Sequence, residues 1–100
     1  MPGFETQVAH NLGRDEARRR LQDVIGQIRR DYSDQVSDVQ ESWDDNVLTF
    51  ALKAYGFKVS GTLTVDDDRA VVEGQLPLLA LPFRGQVQDF LAAEMTRSLA

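Results

Sequence analysis

Few residues in this chain have the chemistry of an active site, and His10 is the first to consider because it is the only histidine. Acid–base catalysis or zinc binding by His10 would need partners brought close by folding, since the chain has no cysteine. Asp15 or Glu16 could orient its ring, and such a pair would support metal-free hydrolysis at most. We expect instead that His10 has a structural role between a strand and a helix.

Two short acidic runs could bind a divalent cation through carboxylate oxygens, one at residues 66–68 and one at Asp44 and Asp45. The first run lacks the glycine and the distal glutamate of a calcium-binding loop. A carboxylate pair working as acid and base needs burial to shift one pKa, whereas both runs have the composition of solvated turns. The sequence therefore predicts no catalytic, metal-binding or cofactor-binding residue.

Basic side chains concentrate in one segment, which holds six of the eleven: Arg14, Arg18, Arg19, Arg20, Arg29 and Arg30. Such a cluster could contact phosphate groups. Acidic residues are interleaved with it, however, the net charge is -5, and no aromatic residues alternate with the arginines to stack on bases. The pattern favours a solvated helix face with internal ion pairs, and it argues against nucleic-acid binding.

Length and composition indicate one domain over residues 1–100, with 42% hydrophobic and 27% charged residues. No apolar run approaches the roughly 20 residues of a membrane helix, and no signal-peptide pattern opens the chain. The absence of cysteine fits a reducing compartment. We therefore expect a cytoplasmic protein that neither spans a membrane nor is exported.

Five alternating segments predict an antiparallel sheet. The clearest is 57–65, where Phe57, Val59, Leu63 and Val65 share one face. Segments 47–52 and 70–76 flank it, another ends at Trp43, and an edge strand at 4–9 follows three dispensable residues, Met1 to Gly3. Turn residues separate the segments, and Gly61 suggests a bulge or the close approach of a helix.

Apolar residues at spacings of three and four predict two amphipathic helices. The first runs from about residue 14 to 32, with a stripe of Ala17, Leu21, Val24, Ile25, Ile28 and Tyr32. The second follows Arg84, with a stripe of Val87, Phe90, Leu91, Met95 and Leu99. The resulting order, β-α-β-β-β-β-α, predicts an α+β fold: a two-layer sandwich with both helices on one face of the sheet.

The segment 76–83 is apolar but contains Pro77 and Pro82, so we expect a packed, extended connection. Its side chains cannot all turn inward if it is extended. It therefore either caps one end of the sandwich or forms an interaction surface. The candidate contact residues are Trp43, Leu78, Leu79, Leu81 and Phe83.

Several stretches together resemble the polyhydroxyalkanoic acid system family: His10-Asn11-Leu12 before Asp15-Glu16-Ala17, Trp43 before a hairpin, 57–65 with Gly61, and the run from Leu76 to Gly85. The resemblance covers almost the whole chain. It implies a bacterial, cytoplasmic protein connected with polyhydroxyalkanoate storage granules. It supplies no known activity and no catalytic motif.

Two functions follow as hypotheses. The first is a non-enzymatic accessory or interaction protein of polyhydroxyalkanoate metabolism, which contacts granule-associated proteins or the polymer surface and forms a homodimer. The alternative is a small apolar-ligand-binding module, in which the curved sheet and a helix enclose a pocket. A solid core without a cavity would exclude the alternative.

Overall fold

The computed structural model describes residues 3–100. In chain order the elements are β1 (Gly3–Ala9), α1 (Arg14–Leu21), α2 (Val24–Asp31), β2 (Val36–Asp44), β3 (Val47–Ala54), β4 (Phe57–Val65), β5 (Arg69–Gln75), a 3₁₀ helix (Leu78–Phe83) and α3 (Arg84–Leu99). Met1 and Pro2, predicted to be dispensable, lie outside the described residues, whereas Gly3 begins β1.

The strands form one antiparallel sheet in the order β1-β5-β4-β3-β2. Strand β1 lies at an edge, as predicted, and pairs with β5, the last strand in the sequence. On β4, Val59, Leu63 and Val65 are buried beneath the helices, while Phe57 is half-buried. The alternation in the sequence thus gave the correct buried face, and the predicted α+β sandwich is confirmed.

Short turns set the register of the central hairpins. Asp45 has φ 55° between β2 and β3, while Tyr55 and Gly56 have φ 53° and 83° between β3 and β4. Positive φ at Tyr55 and Gly56, and at Asp45 as the first residue of its turn, matches the twist of paired strands, so only two residues are needed in each turn. Strands β3 and β4 then pair without a break from Val47 opposite Thr64 to Ala54 opposite Phe57.

The single helix predicted for residues 14–32 is wrong, because the chain forms α1 and α2 with a break between them. At the break Asp23 has φ -106° and ψ 13°, and Gln22 N–H donates to the Arg19 carbonyl, one residue short of the α-helical partner. The apolar stripe continues across it, with Leu21 and Val24 both buried. The break lets α1 pack on α3 and β4, while α2 packs on β2 and α3.

The prediction of an extended connection at 76–83 is also wrong, since Leu78–Phe83 forms a 3₁₀ helix. Pro77 is extended at its start (φ -62°, ψ 155°), and Ala80 N–H donates to the Pro77 carbonyl at 2.9 Å. A proline inside a short 3₁₀ helix causes little strain because its fixed φ suits the helix. Pro82 is therefore tolerated here, where a long α-helix would be broken.

Gly61 marks neither a bulge nor an approaching helix, which corrects the prediction. It lies opposite Gly74 in a regular β4–β5 ladder. A Cβ at Gly61 would lie 2.3 Å from the Glu73 carbonyl oxygen, so what approaches is the neighbouring strand. Phe4 of β1 pairs with Gly74, and its ring would lie 2.6 Å from a Cβ there. The buried Phe4 ring thus covers a glycine site, a known way of stabilising glycine in sheets.

Candidate functional site

The main feature of the interior is an apolar cavity of about 510 Å³ beside the Tyr55–Gly56 turn, which lies within the usual range for ligand sites. The sheet supplies one wall, and α2, the 3₁₀ helix and the first half of α3 supply the others. The residues that line it are Ile28, Tyr32, Gln35, Val36, Phe50, Leu52, Ala54, Tyr55, Phe57, Val59, Leu76, Ala80, Phe83, Gln86, Val87, Phe90 and Leu91.

The cavity has an apolar floor and a polar rim. The fully buried lining residues are all apolar: Ile28, Val36, Phe50, Val59, Leu76 and Ala80. At the rim Gln35, Tyr55 and Gln86 are exposed to solvent, and Phe83 is 48% exposed. A molecule with an apolar body and a polar end would fit this gradient, because burial of the apolar part is favourable while the polar end lies among the polar groups of the rim.

Aromatic rings form much of the wall, because six of the eight aromatic residues in the chain line the cavity: Tyr32, Phe50, Tyr55, Phe57, Phe83 and Phe90. Tyr32 and Phe90 meet edge to face with centroids 5.0 Å apart. Phe57 and Phe83 lie 6.4 Å apart at the rim. These stiff rings hold the wall in place and present a large apolar surface.

A polar network around one buried carboxylate, that of Glu94, lies behind one wall. The Tyr32 hydroxyl donates to Glu94 Oε1 at 3.4 Å, and Glu94 is only 5% exposed. The guanidinium of Arg97 donates to Glu94 and also lies 3.4 Å from Asp31 Oδ2. The buried carboxylate of Glu94 is therefore paired with the Arg97 cation, since burial of a charge requires a partner. Its hydrogen bond with the Tyr32 hydroxyl orients one ring of the cavity wall.

The predicted interaction residues of the 3₁₀ helix occupy different environments. Leu78 and Leu79 are 73% and 81% exposed, whereas Leu81 is half-buried. Phe83 lines the cavity rim. The segment thus partly covers the core and partly stays exposed. The reason is that the side chains of a 3₁₀ helix point in three directions, whereas those of an extended chain alternate between two.

Trp43, the other predicted contact residue, lies near the Asp45 turn, at the opposite end of β3 from the cavity. It is half-buried on the helix layer, where its Nε1 donates to the Gln22 carbonyl at 3.4 Å. The guanidinium carbon of Arg18 lies 3.6 Å from its ring centroid, and Arg18 Nε donates to the Asp45 carbonyl. The structure therefore does not bring Trp43 together with the exposed leucines.

His10 lies between β1 and α1, away from the cavity. Its Nδ1 accepts from the Leu12 N–H at 3.1 Å, so Nε2 carries the proton of the neutral ring and donates to the Asp66 carbonyl at 3.0 Å. Both partners are backbone groups, as expected for a structural role. Asp66 itself faces Arg69 at 3.7 Å. Within residues 3–100, no group of three or more histidine or carboxylate side chains is arranged to hold a metal ion.

The half-buried residues around the cavity are what sequence reasoning missed. Val87, Phe90 and Leu91 were predicted as core because they share a helical stripe with buried Met95 and Leu99. A stripe reports which side faces the sheet, but it does not report how closely that side packs. Gln35 and Gln86 carry no signal at all in the sequence.

The family described as "Putative polyhydroxyalkanoic acid system protein" matches residues 5–99. The chain belongs to this family. The resemblance inferred from the sequence is therefore confirmed, and membership links the chain to the polyhydroxyalkanoic acid system without defining a molecular activity. No curated protein matches the chain. None of the helices in residues 3–100 is long and apolar enough to cross a bilayer.

Among solved structures, the crystal structure of TTHA0849 from Thermus thermophilus resembles this family member with a TM-score of 0.58 at 15% sequence identity. The match covers 98% of this chain and 94% of TTHA0849. At this identity the likeness concerns the fold alone. It indicates that the whole arrangement, from β1 to α3, occurs in a second protein of nearly the same extent.

Proposed function

We propose that this protein is a non-enzymatic accessory protein of the polyhydroxyalkanoic acid system that binds a small apolar molecule in its cavity. The observation that carries the proposal is the cavity of about 510 Å³ with its buried apolar floor. Family membership supplies the biological setting, and the absence of cysteine fits the cytoplasmic location that we include in the proposal.

The residues with catalytic chemistry support a binding role over an enzymatic one. His10 is not among the described residues that line the cavity, and both its ring nitrogens are engaged by backbone groups. The buried carboxylate of Glu94 is held by Arg97 and Tyr32. Catalysis by either group would require first breaking the contacts that hold the fold.

Titration with the uncharged dye N-phenyl-1-naphthylamine tests the proposal, because its fluorescence rises in an apolar site. We expect saturable binding at one site per chain. Ala80→Phe should fill the floor, since Ala80 is only 4% exposed and lines the cavity. The loss of buried apolar contact should weaken dye binding by about tenfold or more.

Ala93→Phe is the matched control, because Ala93 is exposed on α3 and outside the cavity lining. It should leave dye binding unchanged. Ala54→Phe provides a second filling variant at a half-buried lining position if Ala80→Phe does not fold. Absence of dye binding to the unmodified protein, or equal binding by the folded filling variants, would refute the proposal.

The exposure of Leu78 and Leu79, at 73% and 81%, supports a second candidate function, attachment to the polymer surface of storage granules. Adjacent exposed leucines on a short rigid helix would enter an apolar surface more readily than isolated ones. The predicted contact residues Leu81 and Phe83 lie on the same helix, while Trp43 lies elsewhere. A homodimer through this helix, or contact with a granule-associated protein, would use the same leucines.

Cosedimentation with purified polyhydroxyalkanoate granules tests this second function. The Leu78→Ser and Leu79→Ser double variant should lose the enrichment, whereas Val71→Ser, at a half-buried position of β5, should retain it. Light scattering of the free protein shows whether it forms a homodimer. Binding to granules stripped of protein distinguishes contact with the polymer from contact with a granule-coat protein. Absence of the protein from every granule fraction would exclude the attachment.

A further inference from the structure

The charge distribution around the cavity narrows the class of ligand. Among the described residues that line it, none carries a formal charge, although 27% of the chain is charged. The polar lining residues are tyrosines and glutamines. An ionised head group at the rim would therefore lose part of its hydration without gaining an ion pair, which is unfavourable.

Three cations on the elements that surround the cavity are turned away or engaged elsewhere. Lys53 of β3 lies opposite Lys58 of β4 in the strand ladder, and both are on the face of the sheet away from the cavity. Lys53 Nζ also lies 3.4 Å from Asp38 Oδ2. Arg97 is shared by two carboxylates, those of Glu94 and Asp31. The charge of Arg97 is therefore already compensated behind Tyr32.

At the first turn of α3, one backbone N–H group and the Arg84 side chain are already engaged. The 3₁₀ helix runs directly into α3, and the Arg84 N–H donates to the Leu81 carbonyl. A helix start attracts anions through free N–H groups. Here the preceding turn engages such a group, and the Arg84 side chain points to the Gly3 carbonyl at 3.4 Å.

The rim offers hydrogen bonds to uncharged oxygen groups. Gln35 and Gln86 carry amides that both donate and accept, and Tyr55 carries a hydroxyl that does the same. All three are exposed, so they can reach a ligand head while its tail lies on the floor. At the roughly 30 Å³ that a water molecule occupies in the liquid, a cavity of about 510 Å³ has room for on the order of 17 non-hydrogen atoms.

We infer that the cavity selects an uncharged amphiphile, an aliphatic chain that ends in an ester or hydroxyl group, and rejects the fatty-acid anion and the alkylammonium cation of the same length. The tail contacts the aromatic wall and the buried floor. The head accepts a hydrogen bond from Gln35, Tyr55 or Gln86. This inference rests on the proposed function, since it names the ligand of the same cavity.

The test is displacement of N-phenyl-1-naphthylamine by three probes that share a ten-carbon chain: methyl decanoate, decanoate and decyltrimethylammonium. At about pH 8 the decanoate carboxyl is ionised. Each probe is kept below the concentration at which it aggregates. The ester should bind at least about tenfold more tightly than either ion, because only the ions lose hydration without compensation.

A charge variant at the rim makes the test specific. Gln86→Arg should raise the ratio of decanoate affinity to ester affinity by about tenfold, while Gln86→Glu should not raise this ratio. A ratio below tenfold for either ion in the unmodified protein would overturn the inference and leave the proposed apolar-ligand function standing. Binding of none of the probes or the dye would overturn both.

Discussion

Replacement of Gly74 by alanine is the sharpest steric test of this structure. Gly74 lies in β5 between β1 and β4, and a Cβ there would lie 2.5 Å from the Ser60 carbonyl oxygen and 2.6 Å from the Phe4 ring. Ordinary van der Waals contacts begin at 3.4 Å. One of the two neighbours is backbone in a paired strand, so it cannot move without disturbing the ladder.

The expected cost follows from these distances. Overpacking in a buried region costs about 1–3 kcal/mol, and a clash with backbone places this variant at the upper end of that range. For a chain of 100 residues, each kcal/mol shifts Tm by about 4–8 °C. Gly74→Ala should therefore lower Tm by about 10 °C or more.

Thermal and urea unfolding followed by circular dichroism measure the effect. Gly85→Ala is the matched control, because nothing lies within 4 Å of a Cβ at that position and it lies within α3. It should raise stability by about 0.5 kcal/mol through helix propensity. Phe4→Leu combined with Gly74→Ala should cost less than the sum of the single changes, by about 1 kcal/mol, since one of the two clashes is relieved.

A Gly74→Ala variant that melts within about 2 °C of the unmodified protein would refute the steric reasoning. Exact additivity with Phe4→Leu would show that the ring does not cover Gly74. Equal losses in Gly74→Ala and Gly85→Ala would instead indicate a general response to alanine. Each result bears on the placement of β1 beside β5.

Three further predictions concern the helix layer. Arg20→Ala should lower stability by about 1 kcal/mol in urea unfolding, because Arg20 Nη1 donates to the Leu99 carbonyl at 3.0 Å and joins α1 to the end of α3; Arg20→Lys should recover part of the loss. Hydrogen bonds from Arg19 and Arg20 lower the pKa of Glu16 from 4.5 to about 2. The contribution of the Glu16 carboxylate to stability is therefore present above pH 4.5 and lost as the pH falls towards 2. Unfolding measured across that window should show Glu16→Gln approaching the unmodified protein in acid; a constant gap would contradict the assignment. Arg18→Ala should cost about 0.5–1 kcal/mol and shift the emission of the single tryptophan, Trp43, to longer wavelength; unchanged emission would show that Arg18 does not shield the ring.

Local patterns in the sequence were enough to define the five strands and the buried faces of the central strand and of the helical segments. The alternation around Val59 and Leu63 predicted β4 and its inward side, and both residues are buried. The stripe through Leu21 predicted which side of the helical segment meets the sheet. These features depend on residues close in the chain, because the side-chain periods of strands and helices are fixed by backbone geometry. The family resemblance likewise depended on short runs of residues.

The tertiary structure alone decided the strand order, the break at Asp23 and the cavity. Whether β1 pairs beside β5 depends on contacts between residues far apart in the sequence. Phe90 and Met95 share one apolar stripe, yet Met95 is buried in the core while Phe90 lines a cavity. Hydrophobic periodicity indicates which side chains turn away from water. The volume that remains between the packed layers depends on how all the layers meet. For that reason the sequence predicted that these side chains turn inward, and only the folded chain showed the space between them.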